Sequence, residues 1–253
     1  MNTTRQKSGR PWWSRAVMFG GLLSVGLPLI AALGTRFGVW NFKLGLLIWA
    51  IGFLIALVGV IGGFIAVIGV VRRNRVAERA SVFLGTTLAA LVVGFLGSQF
   101  IAARGVPPIH DISTDTSDPP SYDAAVKLRG DGPDTNTLVY DAQNLPAQQR
   151  AAYPNVVPLD VTAPPAAAFD AAVAALNGLG FEVVNADPQA LRVEAVATSF
   201  WFGFKDDVVV RIRPTDSGSR IDVRSVSRVG VGDTGVNAKR IVKILDAIKT
   251  KTA

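Results

Sequence analysis

Three stretches of the chain are apolar without interruption by charge: residues 16–35, 44–71 and 80–103. A helix rises about 1.5 Å per residue and the hydrocarbon core of a bilayer is about 30 Å thick, so about 20 such residues cross it. All three runs qualify as transmembrane helices, and the second is long enough to cross with tilt. A cleaved signal peptide does not suit the first run. No small-residue cleavage pattern comes after it, and beyond Arg36, Phe37, Trp40 and Lys43 the chain turns apolar again.

Past residue 103 the pattern changes twice. Ten of the 14 prolines fall in 104–165, which favours turns and extended chain over long elements. Residues 104–155 therefore read as a Pro-rich connector wrapped over the C-terminal domain, with short helical turns at 121–129 and 146–152. Residues 156–253 alternate like a small α+β domain. Strands are expected at 156–161, 181–185, 191–198, 208–213 and 220–227. One helix, capped by Thr162 with Pro164 and Pro165 in its first turn, presents Phe169, Val173 and Leu176 and ends at Asn177-Gly178. A second, capped by Asp233, turns Ile241, Ile244, Leu245 and Ile248 inward and Lys239, Arg240 and Lys243 outward. The fold class is thus a three-helix membrane region plus an antiparallel sheet with two helices on one face, in the order β-α-β-β-β-β-α.

Composition agrees with this division. The 253 residues are 49% hydrophobic and 18% charged, too apolar for a disordered chain or an ordinary water-soluble enzyme. The net charge of +7 suggests nucleic acid until the chain is split: residues 1–103 hold 10 Lys/Arg and Glu78, and the remainder holds 16 Lys/Arg and 18 acids. Basic residues flank the spans, with four in residues 1–15 and four in 72–79 against Arg36, Lys43 and Arg104 on the other side. The excess puts the N-terminus and the 72–79 loop in the cytoplasm, and an odd number of crossings puts the C-terminal domain outside. The expected location is a bacterial inner (cell) membrane, multi-pass, with a periplasmic domain. The chain has no Cys, which an oxidising compartment permits.

No charge or histidine lies within the spans, which leaves no proton relay or ion path. Small residues recur there at four-residue spacing: Thr86, Ala90, Gly94, Ser98 and Ala102 on the third helix, and two pairs, Gly52 with Ala56 and Gly59 with Gly63, on the second. Such spacing serves close helix packing within the chain, or a docking face for a partner membrane protein or homo-oligomer at Ala90, Gly94 and Ser98.

Candidate chemistry lies in the exported half. If Arg213 faces Arg220 and Arg211 faces Asp222, alternation puts Val208, Val210, Ile212, Ile221 and Val223 inside and Asp207, Arg211, Arg213, Asp222, Arg224 and Arg228 outside. That charged face is a mutually paired network or half of an anion site. Phe200, Trp201, Phe202 and Phe204 suit packing or contact with lipid or a partner. His110, the sole histidine, with Asp111 and Asp115 could ligate a metal or act as acid and base, although zinc spacing is lacking; no metal or cofactor is expected. The glycines around Val231 lack a phosphate-loop lysine and read as a turn before a helix.

The segments PPIHDISTD, Tyr153-Pro154, FGFKDDVVVRI and IDVRSVSRVGVGDTGVNAKRI together resemble the bacterial domain-of-unknown-function family 1499, across roughly 106–248. The resemblance singles out His110, Asp111, Asp115, Asp206, Asp207, Arg224, Ser225, Ser227, Arg228, Gly230, Asp233 and Asn237 as site candidates, and the family carries no established activity. Binding positions are expected among Asp206, Asp207, Arg211, Arg224, Arg228, Asp233 and Asn237. The expected function is a non-enzymatic binding or assembly module for a partner protein, lipid or envelope component. The alternative is a membrane-tethered hydrolase that uses His110 with nearby acids. No groove-reading motif accompanies the charge, which excludes a DNA reader.

Overall fold

A computed structural model describes residues 11–130, 132–232 and 234–252. The three apolar runs are helices α1 (Trp12–Arg36), α2 (Phe42–Arg72) and α3 (Val76–Arg104). Each is longer than the roughly 20 residues that a membrane crossing requires. Their outer surfaces carry large exposed apolar side chains such as Leu54, Val58, Phe64, Ile65, Leu91 and Phe95, the arrangement expected of helices solvated by lipid. Inside, backbones approach where side chains are absent. A Cβ at Gly85 would overlap the backbone of Val17 and stand 2.8 Å from the Cα of Met18, and Gly52 lies against the ring of Pro28. Gly59 faces Ala89 and Gly63 faces Thr86, so the small positions of α2 pack as their spacing implies. On α3 the packing residues are Ser81, Gly85 and Ala89. Ala90, Gly94 and Ser98 are exposed, and nothing approaches Gly94 within 4 Å. Among the described residues these three positions stay outside the helix packing, because the next face round the helix already supplies the close approach.

The second unit begins at Ala102. In chain order it contains β1 (Asp111–Ser113), α4 (Ala124–Leu128), α5 (Leu145–Ala152), β2 (Leu159–Val161), α6 (Pro165–Gly178), β3 (Glu182–Asp187), β4 (Arg192–Thr198), β5 (Lys205–Thr215), β6 (Gly218–Ser227) and α7 (Val236–Thr252). The antiparallel sheet runs β1-β6-β5-β4-β3, and β2 pairs with the other end of β6. From β2 onward the order is β-α-β-β-β-β-α. The first helix and strand of that series start late for local reasons. Pro158 precedes Leu159. Pro164, held at ψ 154° because the next residue is also proline, keeps α6 from starting before Pro165. Thr162 is therefore not its cap. The helix ends at Gly178, at the expected pair, with Leu179 as its C-cap. The left-handed position is Gly180 (φ 76°), where Gly180 N–H reaches the Asn177 carbonyl and Phe181 N–H that of Leu176. Asp233, the expected cap of α7, lies outside the described residues.

The β5–β6 hairpin sets Arg213 opposite Arg220 and Arg211 opposite Asp222, as the pattern implies, and closes around Asp216 and Ser217. Pro214 stays in the strand because β4 pairing stops at Arg192 opposite Arg211, so this position has a neighbour on one side only. Gly218 (φ 145°) allows the β2 backbone to pass: a Cβ there would overlap the Val161 carbonyl. Val193, Ala195, Val208, Val210, Ile212, Ile221 and Val223 face α6 and α7 and form the core with Phe169, Leu176, Ile241, Ile244 and Ile248. The strand β1 has no counterpart in the periodicity of the sequence. Three residues are too few to show alternation, and they are extended because β6 offers an open edge at Arg224–Val226.

Candidate functional site

Alternation sends Glu194, Asp207, Arg211, Asp222 and Arg224 to the sheet face away from α6 and α7. An uncovered face would leave these groups in water, yet Glu194, Asp207 and Asp222 are fully buried and Arg224 is 3% exposed. The cover is a strap, residues 114–130 and 132–140, that crosses this face and is bonded to it at several points. Burying charges is costly unless each is paired and hydrogen-bonded, and the strap supplies the partners.

At its centre Arg224 forks onto Asp111, Nε to Oδ1 at 2.9 Å and one terminal nitrogen to Oδ2 at 2.7 Å. It also donates to the carbonyls of Pro120 and Leu138. Its guanidinium lies between the rings of Tyr122 and Tyr140, 5.2 and 5.3 Å from their centroids. Burial disfavours the Arg224 charge, but the hydrogen bonds and field of Asp111 outweigh it, so its pKa rises. Burial pushes the Tyr122 hydroxyl well up and, with Asp111 nearby, the Tyr140 hydroxyl up to about 12. Both phenols stay neutral, and Tyr122 donates to the Asp207 or Arg224 carbonyl.

Asp207 accepts from two arginines, Arg129 of the strap at 2.6 Å and Arg228 at 2.7 Å. Arg129 also donates to the carbonyls of Asn136 and Val226, and the Asn136 amide reaches those of Ser227 and Gly230. Glu194 takes the N–H groups of Asp123, Ala124 and Ala125 at 3.0–3.1 Å, a buried carboxylate seated on the first turn of α4. Where the strap begins, Asp115 and Asp118 meet Arg211 and Arg213, which also hold Asp222. Burial raises the Asp115 carboxyl. Hydrogen bonds from Asp118 N–H, Arg213 and Ser117 more than reverse this, and its pKa falls to about 2.

Asp206 points the other way and binds Arg240 of α7 at 2.5 Å. Arg240 also contacts Ser225 and Asn237, and Asn237 reaches Ser227 and the His110 carbonyl. The expectation that Arg240 faces outward is therefore corrected: it is 9% exposed, drawn in by the carboxylate that β5 places beneath α7.

The expected grouping of His110 with Asp111 and Asp115 does not form. The His110 ring meets the Val231 carbonyl at 3.3 Å, while the two carboxylates are committed to Arg224 and Arg213. Among the described residues no cluster of three His, Asp or Glu side chains could hold a metal. The loop joining β4 to β5 closes through Ser199 and Phe204 and leaves Phe200 and Trp201 at 74% and 52% exposure. Residues that the pattern did not single out are Arg129, Tyr122, Gln149 and Glu194. Gln149, buried in α5, grips the Ser113 N–H and carbonyl from both sides and locks β1 in place.

An open cavity of about 570 Å³ lies along the strap, bordered by Ser121, Tyr122, Arg129, Thr137 and Val139, with Arg224 as its contribution from the sheet. The molecule is thus a protein with three apolar helices of membrane-crossing length and a strapped α+β domain. Residues 111–248 match the family described as proteins of unknown function, DUF1499, and the chain belongs to that family. A search of curated proteins finds no match.

Proposed function

We propose that this chain is a multi-pass protein of a bacterial cell membrane whose α+β domain, on the side away from the cytoplasm, is a non-catalytic module that binds a partner protein, lipid or envelope component. The charge asymmetry of the spans supports the orientation. Within the helical unit the Arg75 guanidinium lies 5.8 Å over the Trp13 ring, so the basic 72–79 turn and the start of α1 share one end, the end expected in the cytoplasm.

The observation that carries the binding reading is the commitment of the polar groups. Asp111, Asp115, Asp206, Asp207 and Glu194 are each held by arginine or by backbone N–H groups, and their bonds tie the strap and α7 to the sheet. A hydrolase built on His110 needs one of these acids to orient or assist the ring. What stays accessible is surface suited to contact: the Phe200–Trp201 loop tip and the small-residue face at Ala90, Gly94 and Ser98.

The test is photocrosslinking in intact membranes from probes placed at Phe200 and at Gly94. A discrete adduct, whether heteromeric, homomeric or lipid, is expected from at least one position. Monomer alone from both, together with loss of a cellular phenotype in a normally folded His110→Ala variant, would overturn the reading in favour of an enzyme.

A further inference from the structure

We infer that the cavity along the strap binds the carboxylate or phosphate group of a small organic anion. This deepens the binding-module reading and rests on it. The cavity volume, about 570 Å³, falls within the roughly 300–1,000 Å³ usual for small-molecule sites. Two of its lining residues are Arg129 and Arg224, with side chains 5% and 4% exposed. A guanidinium carries five N–H donors. Arg129 spends three, on Asp207 and the carbonyls of Asn136 and Val226. Arg224 spends four, two on Asp111 and one each on the carbonyls of Pro120 and Leu138. Every side-chain nitrogen of both arginines is engaged, and the terminal nitrogens keep capacity for a further acceptor, two N–H groups on Arg129 and one on Arg224.

The ion pairs leave this donor capacity in place: Arg129 and Arg228 share the carboxylate of Asp207, and Arg224 pairs with Asp111. Buried donors favour an acceptor, and oxyanions suit the fork geometry of arginine. The hydroxyls of Ser121 and Thr137 add polar rim, and Val126, Leu138 and Val139 add an apolar wall. The ligand class is therefore an oxyanion head on a short apolar body.

The test uses the full chain in a non-ionic detergent, titrated calorimetrically with hexanoate, with inorganic phosphate and with hexanol as the neutral control. Val139 is 78% exposed and belongs to none of the ion pairs, so Val139→Asp and Val139→Lys change the charge at the cavity wall and leave the buried pairs intact. Hexanoate or phosphate is expected to bind and hexanol not. Val139→Asp should weaken binding about tenfold and Val139→Lys strengthen it. Binding of hexanoate alone assigns a carboxylate head, and binding of phosphate alone a phosphoryl one. No binding of either anion up to about 10 mM, or binding indifferent to both variants, overturns the inference. The crosslinks from Phe200 and Gly94 are read independently, so failure here leaves the binding-module reading standing.

Discussion

Arg224 and Asp111 meet fork to fork across the β1–β6 edge, both nearly excluded from solvent. A pair of this kind is costly to break from one side, because the remaining charge stays buried without its counter-charge. Asp111→Ala is expected to lower stability by about 3–5 kcal/mol in a denaturant titration. The double variant Asp111→Leu/Arg224→Met should recover much of that loss. A single variant that costs as little as a surface change would mean the pair is not buried as described.

Glu194 fastens the strap from a distance of some 70 residues in sequence. Glu194→Gln keeps the volume but removes the charge and replaces one acceptor oxygen with a donor. The expected loss is about 2–3 kcal/mol. The local signature is faster amide exchange across residues 123–128, while the β5–β6 ladder stays protected. Uniform acceleration through the sheet would instead make Glu194 part of the global core.

Asp115 gives the pH dependence. Its carboxyl titrates at about 2 in the folded chain, below the roughly 3.9 of an unfolded aspartate. The folded state therefore binds this proton less readily. The stabilisation is present above about pH 4 and is lost as pH falls through about 2. Asp115→Asn should be less stable than the parent by on the order of 1–2 kcal/mol near pH 7, with the gap closing towards pH 2. A gap that does not change with pH would assign Asp115 a role in loop geometry alone.

Much of the architecture was legible in the residues. Three uncharged runs of sufficient length have few alternatives to membrane helices, and the period-two pattern of Val208–Arg213 against Arg220–Ser227 set both the register and the charged face. The covering of that face was not legible. Its contacts join Asp123–Ala125 to Glu194 and Arg129 to Asp207 across 69–78 residues, and no local periodicity encodes such distances. Arg240 was misplaced because its neighbours Lys239 and Lys243 are exposed. Its three-residue spacing from Asn237, on the same face as Ile241 and Ile244, was the available signal. Ala90, Gly94 and Ser98 were legible as a face, but helix packing within the chain uses the adjacent one.

The central claim is a membrane-held domain facing away from the cytoplasm, and paired fusions after Ala253 in bacterial cells measure it most directly. Alkaline phosphatase, which folds actively only outside the cytoplasm, is expected to be active, and green fluorescent protein at the same position to stay dark. Fluorescence with an inactive phosphatase would place the domain inside and contradict the account.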